Sequence, residues 1–312
     1  MVSATVKDFL KLGMVPNTMC KGAFVWKNID GEENKHGYLI LDTDDMLLAT
    51  NFKRASTLLE QAFDRYFTYT KRDDTEISFL NFRIIQSEYG ISLDQTNHIL
   101  QKVIKPYFPT QEKVPFQSSP FPLANTFEMT LFSSLPLTHE EHIKYAKLYK
   151  GNYNHWTGCL IHIAVMSRPD LSYAVMRLSG YNASPTPVTF HALNHLLCYI
   201  YHHPHIPLMY KSGTNKANLQ SYTVKGHAEI LDPDKYQGLM TYTDADLARD
   251  LRCRRSVSSN VVEYNGTAVA WGSHKQTVPG TCTNITETTS IYKGVKRTLE
   301  IRRFLESMND DH

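Results

Sequence analysis

Long apolar runs are absent from this sequence of 312 residues, since none reaches the length of about 18 residues that a membrane span requires. The N-terminus has charges within its apolar stretch and no small-residue cleavage site, which excludes a typical secretory signal. Only five cysteines occur, they are scattered, and none forms a CxxC pair. This pattern is typical of a reducing compartment rather than of a disulfide framework or a zinc ribbon, and it predicts a soluble intracellular protein.

An excess of charge of one sign is also absent. The chain carries 33 basic and 31 acidic side chains, so its net charge is only +2. Charge alone therefore neither indicates nor excludes a nucleic-acid partner. The composition, with 42% hydrophobic and 21% charged residues, is that of an ordinary globular protein long enough for two or three compact units.

The first half of the chain alternates between strand and helix patterns. Residues 1–107 predict a strand through YLILDT, a helix over 55–67, a hairpin from FLNFRII and GISLDQ, and a helix over 95–104. Residues 108–138 contain several prolines and show weak periodicity, which predicts a linker or an extended covering segment. The order of elements indicates an α+β fold.

The second half begins with helices and ends with strands. Residues 139–203 show four helical patterns, each ending near Pro, Gly or Asn. From Pro204 the period changes to that of strands, and the Asn265–Gly266 pair predicts a hairpin turn. A last helix is predicted over about Thr289–Ser307.

One acidic group lies in the stretch YLILDTDDMLLAT, where Asp42, Asp44 and Asp45 interrupt an apolar segment. An Asp-Asp pair in the turn of a hairpin directs carboxylates at one point, and such oxygen ligands suit Mg²⁺. Two such ions can hold the attacking and leaving oxygens of a phosphoryl transfer. The alternative is an Asp-capped turn before a short helix over MLLA.

A second acidic group lies in TYTDADLARD, which contains Asp244, Asp246 and Asp250, and Glu287 follows about forty residues later. An aspartate on a central strand with a glutamate on the next helix is half of a two-metal nuclease site. The alternative is that these are solvated surface acids.

A third group of metal-capable side chains is the HxxxHxxC pattern of His191, His195 and Cys198 on one helical face. No fourth ligand lies at a spacing typical of zinc sites, and the surrounding residues are apolar like a core. Packed or surface histidines are therefore the favoured interpretation.

Four segments, in order, resemble the Pol polyprotein of copia-type LTR retrotransposons, which include yeast Ty-like elements. YLILDTDDMLLAT is similar to the family's Y-V-D-D-M-L-I-A segment, and FLNFRIIQSEYGISLDQ to its F-L-G-I-x-I…G-I-x-L-x-Q segment. VMSRPDLSYAV resembles T-R-P-D-I-x-Y-A-V, and YTDADLARD with the following RRSVSS resembles Y-S-D-A-D-W-A-G-D…R-R-S-T-S-G. The four segments cover most of residues 24–305.

The resemblance implies an RNA-directed DNA polymerase with ribonuclease H activity, which uses Mg²⁺. Asp44 and Asp45 match the paired metal-binding aspartates of the polymerase palm. Asp244 matches the first RNase H aspartate, and Glu287 matches the RNase H glutamate. The implied partners are an RNA template or RNA–DNA hybrid, further Pol portions and virus-like-particle proteins, with no membrane. The implied location is the cytoplasm, in virus-like particles, or the nucleus.

The resemblance also predicts a division of the chain. Residues 1–107 correspond to the C-terminal part of a reverse-transcriptase palm and the start of a thumb, and 108–138 to a linker. Residues 139–235 correspond to a helical thumb or connection region, and 236–312 to the N-terminal part of an RNase H-like α/β domain.

Several positions depart from the family pattern. Asp42 and Thr43 replace the family's Tyr and Val, and Asn81 replaces a glycine. The family also has a polymerase carboxylate that would precede this sequence and an RNase H aspartate that would follow it. We therefore expect a Pol fragment, truncated at both ends, without polymerase or nuclease activity of its own.

Two other interpretations stay open. The region 139–235 could be a residual module that binds nucleic acid or another subunit without catalysis. Its basic residues include Lys144, Lys147, Lys150, Arg168 and Arg177. Alternatively, the chain is rarely made or does not fold stably.

Overall fold

The computed structural model describes residues 9–43, 45–64, 68–72, 74–109, 121–124, 126–211 and 238–309. The chain divides into two compact units. The first contains residues up to Leu80 and those from Leu299 onward, and the second contains Asn81–Thr298. Helices and antiparallel strands occur together, which confirms the predicted α+β class.

The first unit is built on a four-stranded antiparallel sheet in which each strand pairs with the next along the chain. Its strands are β1 (Met14–Pro16), β2 (Ala23–Lys27), β3 (His36–Asp42) and β4 (Asp45–Thr50). Helix α1 (Arg54–Phe63) and strand β5 (Glu76–Phe79) follow. The helix buries Ala55, Leu59 and Phe63, which recur every four residues and so lie on one helical face.

The second unit contains three antiparallel strands that pair in sequence order, with the helical region inserted between the second and the third. Its strands are β6 (Phe82–Ser87), β7 (Gly90–Asp94) and β8 (Leu208–Lys211), and β7 pairs with both others. The predicted hairpin of FLNFRII and GISLDQ is therefore confirmed as β6–β7. More than a hundred residues, all of the helical region, lie between β7 and β8.

Six helices, besides the 3-10 turn Pro169–Leu171, are found in the described part of that region. They are α2 (96–107, made of Thr96–Ile99, the π-helical turn Leu100–Ile104 and Lys105–Tyr107), α3 (Phe127–Phe132), α4 (His139–Leu148), α5 (Tyr153–Met166), α6 (Ser172–Ser179) and α7 (Pro187–His202). Their apolar faces enclose one core, in which Tyr153, Leu160, Phe190 and Leu196 are no more than 1% exposed. Burial of such side chains stabilises each by about 1.5–3 kcal/mol relative to exposure.

The remainder of the second unit is a β-meander followed by a long helix. The strands are β9 (Leu239–Asp250), β10 (Arg255–Tyr264) and β11 (Thr267–Lys275), and the helix is α8 (Thr283–Asn309), which belongs to this unit up to Thr298. The predicted turn at Asn265–Gly266 is confirmed, because both residues have positive φ angles between β10 and β11. Such angles are required in the two-residue turns that match strand twist.

Two helices differ from the sequence prediction. Helix α3 lies in the segment predicted as a linker, where Phe127 and Leu131 are buried in the helical core. Helix α8 begins at Thr283 rather than near Thr289, although TNITETT has low helix propensity. The completely buried Thr286 accepts a hydrogen bond from Gln276 at its carbonyl, so tertiary contacts outweigh local propensity there.

None of the described helices combines the length and the apolar character needed to cross a membrane. The predicted division at residues 107, 138 and 235 stays a prediction.

The start of α7 provides a test of stability. Thr186 and Thr189 cap the helix reciprocally, each accepting the other's backbone N–H, and both are completely buried. We expect Thr186→Ala to lower the free energy of unfolding by about 1–2 kcal/mol, because a buried N–H loses its acceptor. Urea unfolding followed by circular dichroism would measure this change.

Thr138→Ala, which removes the exposed capping box of α4, is the matched control and should cost less. An equal or larger loss in the control would contradict the effect of burial. A non-cooperative transition in the unchanged chain would instead support the interpretation that it does not fold stably.

Candidate functional site

The first acidic group lies at the tip of the β3–β4 hairpin. Asp42 and Asp45 are directly opposite each other in the strand register, and both are exposed. Thr43 has a φ of 48°, which a two-residue hairpin turn requires but a β-branched residue adopts unfavourably. The segment after the turn is strand β4, so the alternative of a short helix over MLLA is wrong. Asp44 lies outside the described residues.

The register also determines which face of the sheet carries these carboxylates. Leu39, Leu41, Met46 and Leu48 face the core of the first unit. Because strand side chains alternate, Asp42 and Asp45 lie on the opposite face, which is open to solvent. Two like charges directly opposite each other repel, so this hairpin tip favours a cation or extensive hydration.

The second acidic group is positioned by close packing of α8 on β9. Gly294 of the helix lies against the side chains of Thr241 and Thr243, and a Cβ atom at Gly294 would collide with the Thr243 methyl group. The Ser290 hydroxyl donates to the carbonyl oxygen of Asp244 at 2.7 Å. Glu287 is one helical turn before Ser290 and is half-buried. The structure thus brings together the two elements that carry Asp244 and Glu287.

The two carboxylates are nevertheless directed differently. Since Thr241 and Thr243 face α8, strand alternation places the Asp244 side chain on the other face of the sheet. There it shares a row with Ser259 and Ser273, and it is exposed. Helix α8 therefore contacts the backbone of β9 at Asp244, while the carboxylates of Asp244 and Glu287 lie on different faces of the sheet.

The other acids of β9 are paired with basic side chains. Asp246 forms an exposed ion pair with Arg249 at 3.4 Å. Asp250 is buried and lies 3.3 Å from an Arg177 nitrogen and 3.1 Å from the Lys275 ammonium. Asp244 and Asp246 are exposed, whereas Asp250 is buried, so the interpretation as a solvated surface acid is wrong for Asp250.

Asp250 belongs to a buried ion cluster that the sequence analysis did not find. Arg177 of α6 donates two hydrogen bonds to the Glu128 carboxylate of α3, at 2.6 and 2.7 Å, and also contacts Asp250. The side chains of Arg177, Glu128 and Asp250 are 3%, 8% and 3% exposed. The Tyr173 hydroxyl donates to Glu128 at 3.2 Å. We call these residues, with Lys275, the Arg177 cluster.

Electrostatics within the Arg177 cluster favour the charged forms. Burial opposes the charge of Asp250, but the hydrogen bond from Lys275 and the charge of Arg177 outweigh it and hold the pKa of Asp250 far below its usual value. Burial likewise opposes the charge of Arg177, but Glu128 and Asp250 raise its pKa. Two basic and two acidic groups neutralise each other, as buried charges require.

The HxxxHxxC residues make separate packing contacts. The Tyr149 hydroxyl lies 2.7 Å from a ring nitrogen of His191, and His195 contacts the Phe121 carbonyl oxygen at 3.0 Å. Cys198 is buried, which raises the pKa of its thiol to about 11. These contacts agree with packed histidines rather than with a shared metal ion.

Comparison with known proteins reveals Pol polyproteins of plant transposons. The retrovirus-related Pol polyprotein from transposon RE1 of Arabidopsis thaliana is 27% identical over 241 residues, which is 77% of this chain. The corresponding polyprotein from transposon TNT 1-94 of Nicotiana tabacum is 24% identical over 278 residues, or 88% of this chain. The chain is therefore similar over most of its length to copia-type retrotransposon Pol polyproteins. It spans 14% of the RE1 polyprotein and 18% of the TNT 1-94 polyprotein.

A shorter match is to a protein named secreted RxLR effector protein 161 of Plasmopara viticola. It is 33% identical over 119 residues, which cover 38% of this chain and 69% of that protein. No family model matches the chain. No solved structure matches it either.

The copia-type family implies Mg²⁺, so the fit of the described residues to this ion is informative. Across residues 9–309, outside the gaps stated above, no three His, Cys, Asp or Glu side chains are grouped so that they could hold a metal ion. Asp244 and Glu287 supply two carboxylates on different faces, and Asp246 and Asp250 are paired with basic groups. Asp244, Asp246, Asp250 and Glu287 therefore do not form a two-metal centre among the described residues.

The Arg177 cluster gives a stability prediction. We expect Arg177→Met to lower the free energy of unfolding by about 3–5 kcal/mol, because Glu128 and Asp250 would stay buried without their partner. Chemical denaturation at neutral pH would measure the loss. Arg302→Met is the control, since Arg302 and Glu306 form an exposed pair that contributes at most about 1 kcal/mol. Equal losses in both variants would contradict the importance of burial.

The same cluster predicts the direction of pH dependence. Asp250 has a lower pKa in the folded than in the unfolded chain, so its contribution is complete above the unfolded value of about 4 and is lost as pH falls towards the folded value. Unfolding free energies measured from pH 6 down to pH 2 should therefore decrease. Asp250→Asn should reduce this slope. Asp94, whose pKa Arg83 also lowers against the effect of burial, accounts for part of the remainder.

Proposed function

We propose that this chain is a copia-type Pol segment with parts of a reverse-transcriptase palm and an RNase H-like domain, and that it catalyses neither polymerisation nor hybrid cleavage. The assignment of the second part is supported by the order of elements: a three-stranded meander carrying Asp244 on its first strand, then a helix carrying Glu287. The acidic turn of the β3–β4 hairpin supports the first part.

The observation that carries the lack of nuclease activity is the pairing of the acids nearest to Asp244. Asp246 is held by Arg249, and Asp250 is committed to Arg177 and Lys275. A two-metal mechanism needs several carboxylates free to bind the ions. Neither of these two aspartates can supply a ligand without leaving a basic group, and for Asp250 that group is buried.

The lack of polymerase activity is supported by a substitution at the acidic turn. Asp42 replaces the family's tyrosine, and the register places it directly opposite Asp45. An added carboxylate repels both phosphates and neighbouring acids. In contrast, Asn81 has a φ of 68°, so it keeps the left-handed conformation for which the family's glycine is suited. The substitution at Asp42 therefore adds a repulsive charge to the acidic turn, whereas the substitution at Asn81 preserves the backbone conformation.

Three of the cations that suggested a nucleic-acid-binding module make contacts within the fold. Arg168 is 1% exposed and is bound to Asp170 and to the His203 carbonyl oxygen. Arg177 is buried in its cluster, and Lys150 donates to the Tyr107 carbonyl oxygen at 2.7 Å. Lys144, Lys147 and Lys150 are exposed, but the Lys150 ammonium is held by a carbonyl oxygen, so these five cations give little support for a phosphate-binding groove.

Two assays with Mg²⁺ test the proposal: primer extension on an RNA template, and cleavage of a labelled RNA–DNA hybrid. We expect the purified chain to give no more product than its Asp45→Asn and Asp244→Asn variants, while an active reverse transcriptase gives full turnover. Turnover in the unchanged chain that is lost in either variant would refute the proposed inactivity.

A hybrid-binding isotherm addresses the alternative in the same preparations. If only Lys144 and Lys147 contact phosphates, a plot of the logarithm of the binding constant against the logarithm of the salt concentration has a slope no steeper than about −2. A steeper slope, combined with lower affinity in Lys144→Ala and Lys147→Ala, would favour a binding module.

A further inference from the structure

Helix α5 carries an accessible pair of metal-binding side chains that the retrotransposon resemblance does not explain. His155 and Cys159 are four residues apart and therefore adjacent on the helix surface. The Nε2 atom of His155 lies 3.9 Å from the Sγ atom of Cys159. His155 is exposed and Cys159 is half-buried, so solvent reaches both.

The geometry points to a binding site for a zinc-like divalent cation, held by the His155 imidazole and the Cys159 thiolate, with water completing its coordination. Imidazole and thiolate are the protein ligands that Zn²⁺ and similar borderline-soft ions prefer. The remaining positions belong to water, because no third ligating side chain is grouped with this pair in the described part of the chain.

The observed separation suits this role. Zn–S and Zn–N bonds of about 2.3 and 2.0–2.1 Å at a tetrahedral angle place the two ligand atoms about 3.6 Å apart. The pair must therefore close by only a few tenths of an ångström, within reach of small side-chain rotations on a rigid helix. Binding replaces the thiol proton of Cys159, which leaves to solvent as the metal–sulfur bond forms.

The helix surface leaves room for a hydrated ion. Gly158 lies three residues after His155, and a Cβ atom there would meet no other atom within 4 Å. His162 is also on this face, but its Nε2 lies 3.3 Å from the amide nitrogen of Gln95, and its ring is 5.2 Å from that of His98. We therefore assign His162 to those contacts and not to the metal.

The HxxxHxxC pattern of α7 provides a contrast. Its cysteine is buried and its histidines contact Tyr149 and Phe121, so the more obvious sequence pattern has the less suitable geometry. Its residues are therefore matched controls for α5.

A titration of the reduced full-length chain with Co²⁺ tests the site. We expect a sulfur-to-cobalt absorption band, together with quenching of Trp156 fluorescence, because the ring centroids of Trp156 and His155 are 4.9 Å apart. Cys159→Ser should abolish the band, and His155→Ala should weaken binding by at least about tenfold. Zn²⁺ added afterwards should displace Co²⁺ and reverse both signals.

His191→Ala and His162→Ala are the controls and should leave the titration unchanged within about twofold. Circular dichroism would establish that each variant is folded. No band in the unchanged chain would mean that His155 and Cys159 form only a hydrogen bond, which would overturn the proposal. A band that persists in Cys159→Ser, or disappears in His162→Ala, would overturn the assignment of the two ligands.

Discussion

The pairing of buried charges around Arg177 is the constraint on which the second unit depends. A guanidinium that is almost inaccessible to water needs carboxylate partners, and it finds them on α3 and at the end of β9. Those partners are 49 and 73 residues away in the sequence. The cluster therefore joins the helical core to the meander in the same unit.

This role changes the meaning of a familiar motif. In TYTDADLARD the first aspartate matches a nuclease residue, whereas the last is part of the fold. One aspartate of the motif thus matches a catalytic residue and another stabilises the fold, so the presence of the motif is no evidence of catalysis.

Local signals allowed much of the fold to be predicted. Hydrophobic periodicity and turn residues were sufficient for the β6–β7 hairpin, the turn at Asn265–Gly266 and the four helices between residues 139 and 203. The interpretations that failed depended on distant contacts: helix α3, the early start of α8 and the burial of Asp250. The side of the sheet on which Asp244 lies follows from the position of α8, which a single strand cannot reveal. The roles of Asp44, Asp45, Asp244 and Glu287 stay predictions.

The pairing of β7 with β8 has a consequence for the helical region. Leu93 and Leu208 are neighbours in the sheet, so this region begins and ends at points one strand spacing apart. The helical region is therefore an insertion between two paired strands rather than a link between distant parts of the unit. The β7–β8 pairing fixes where this region begins and ends, whereas the ion pair of Arg177 with the buried Asp250 makes the region inseparable from the meander.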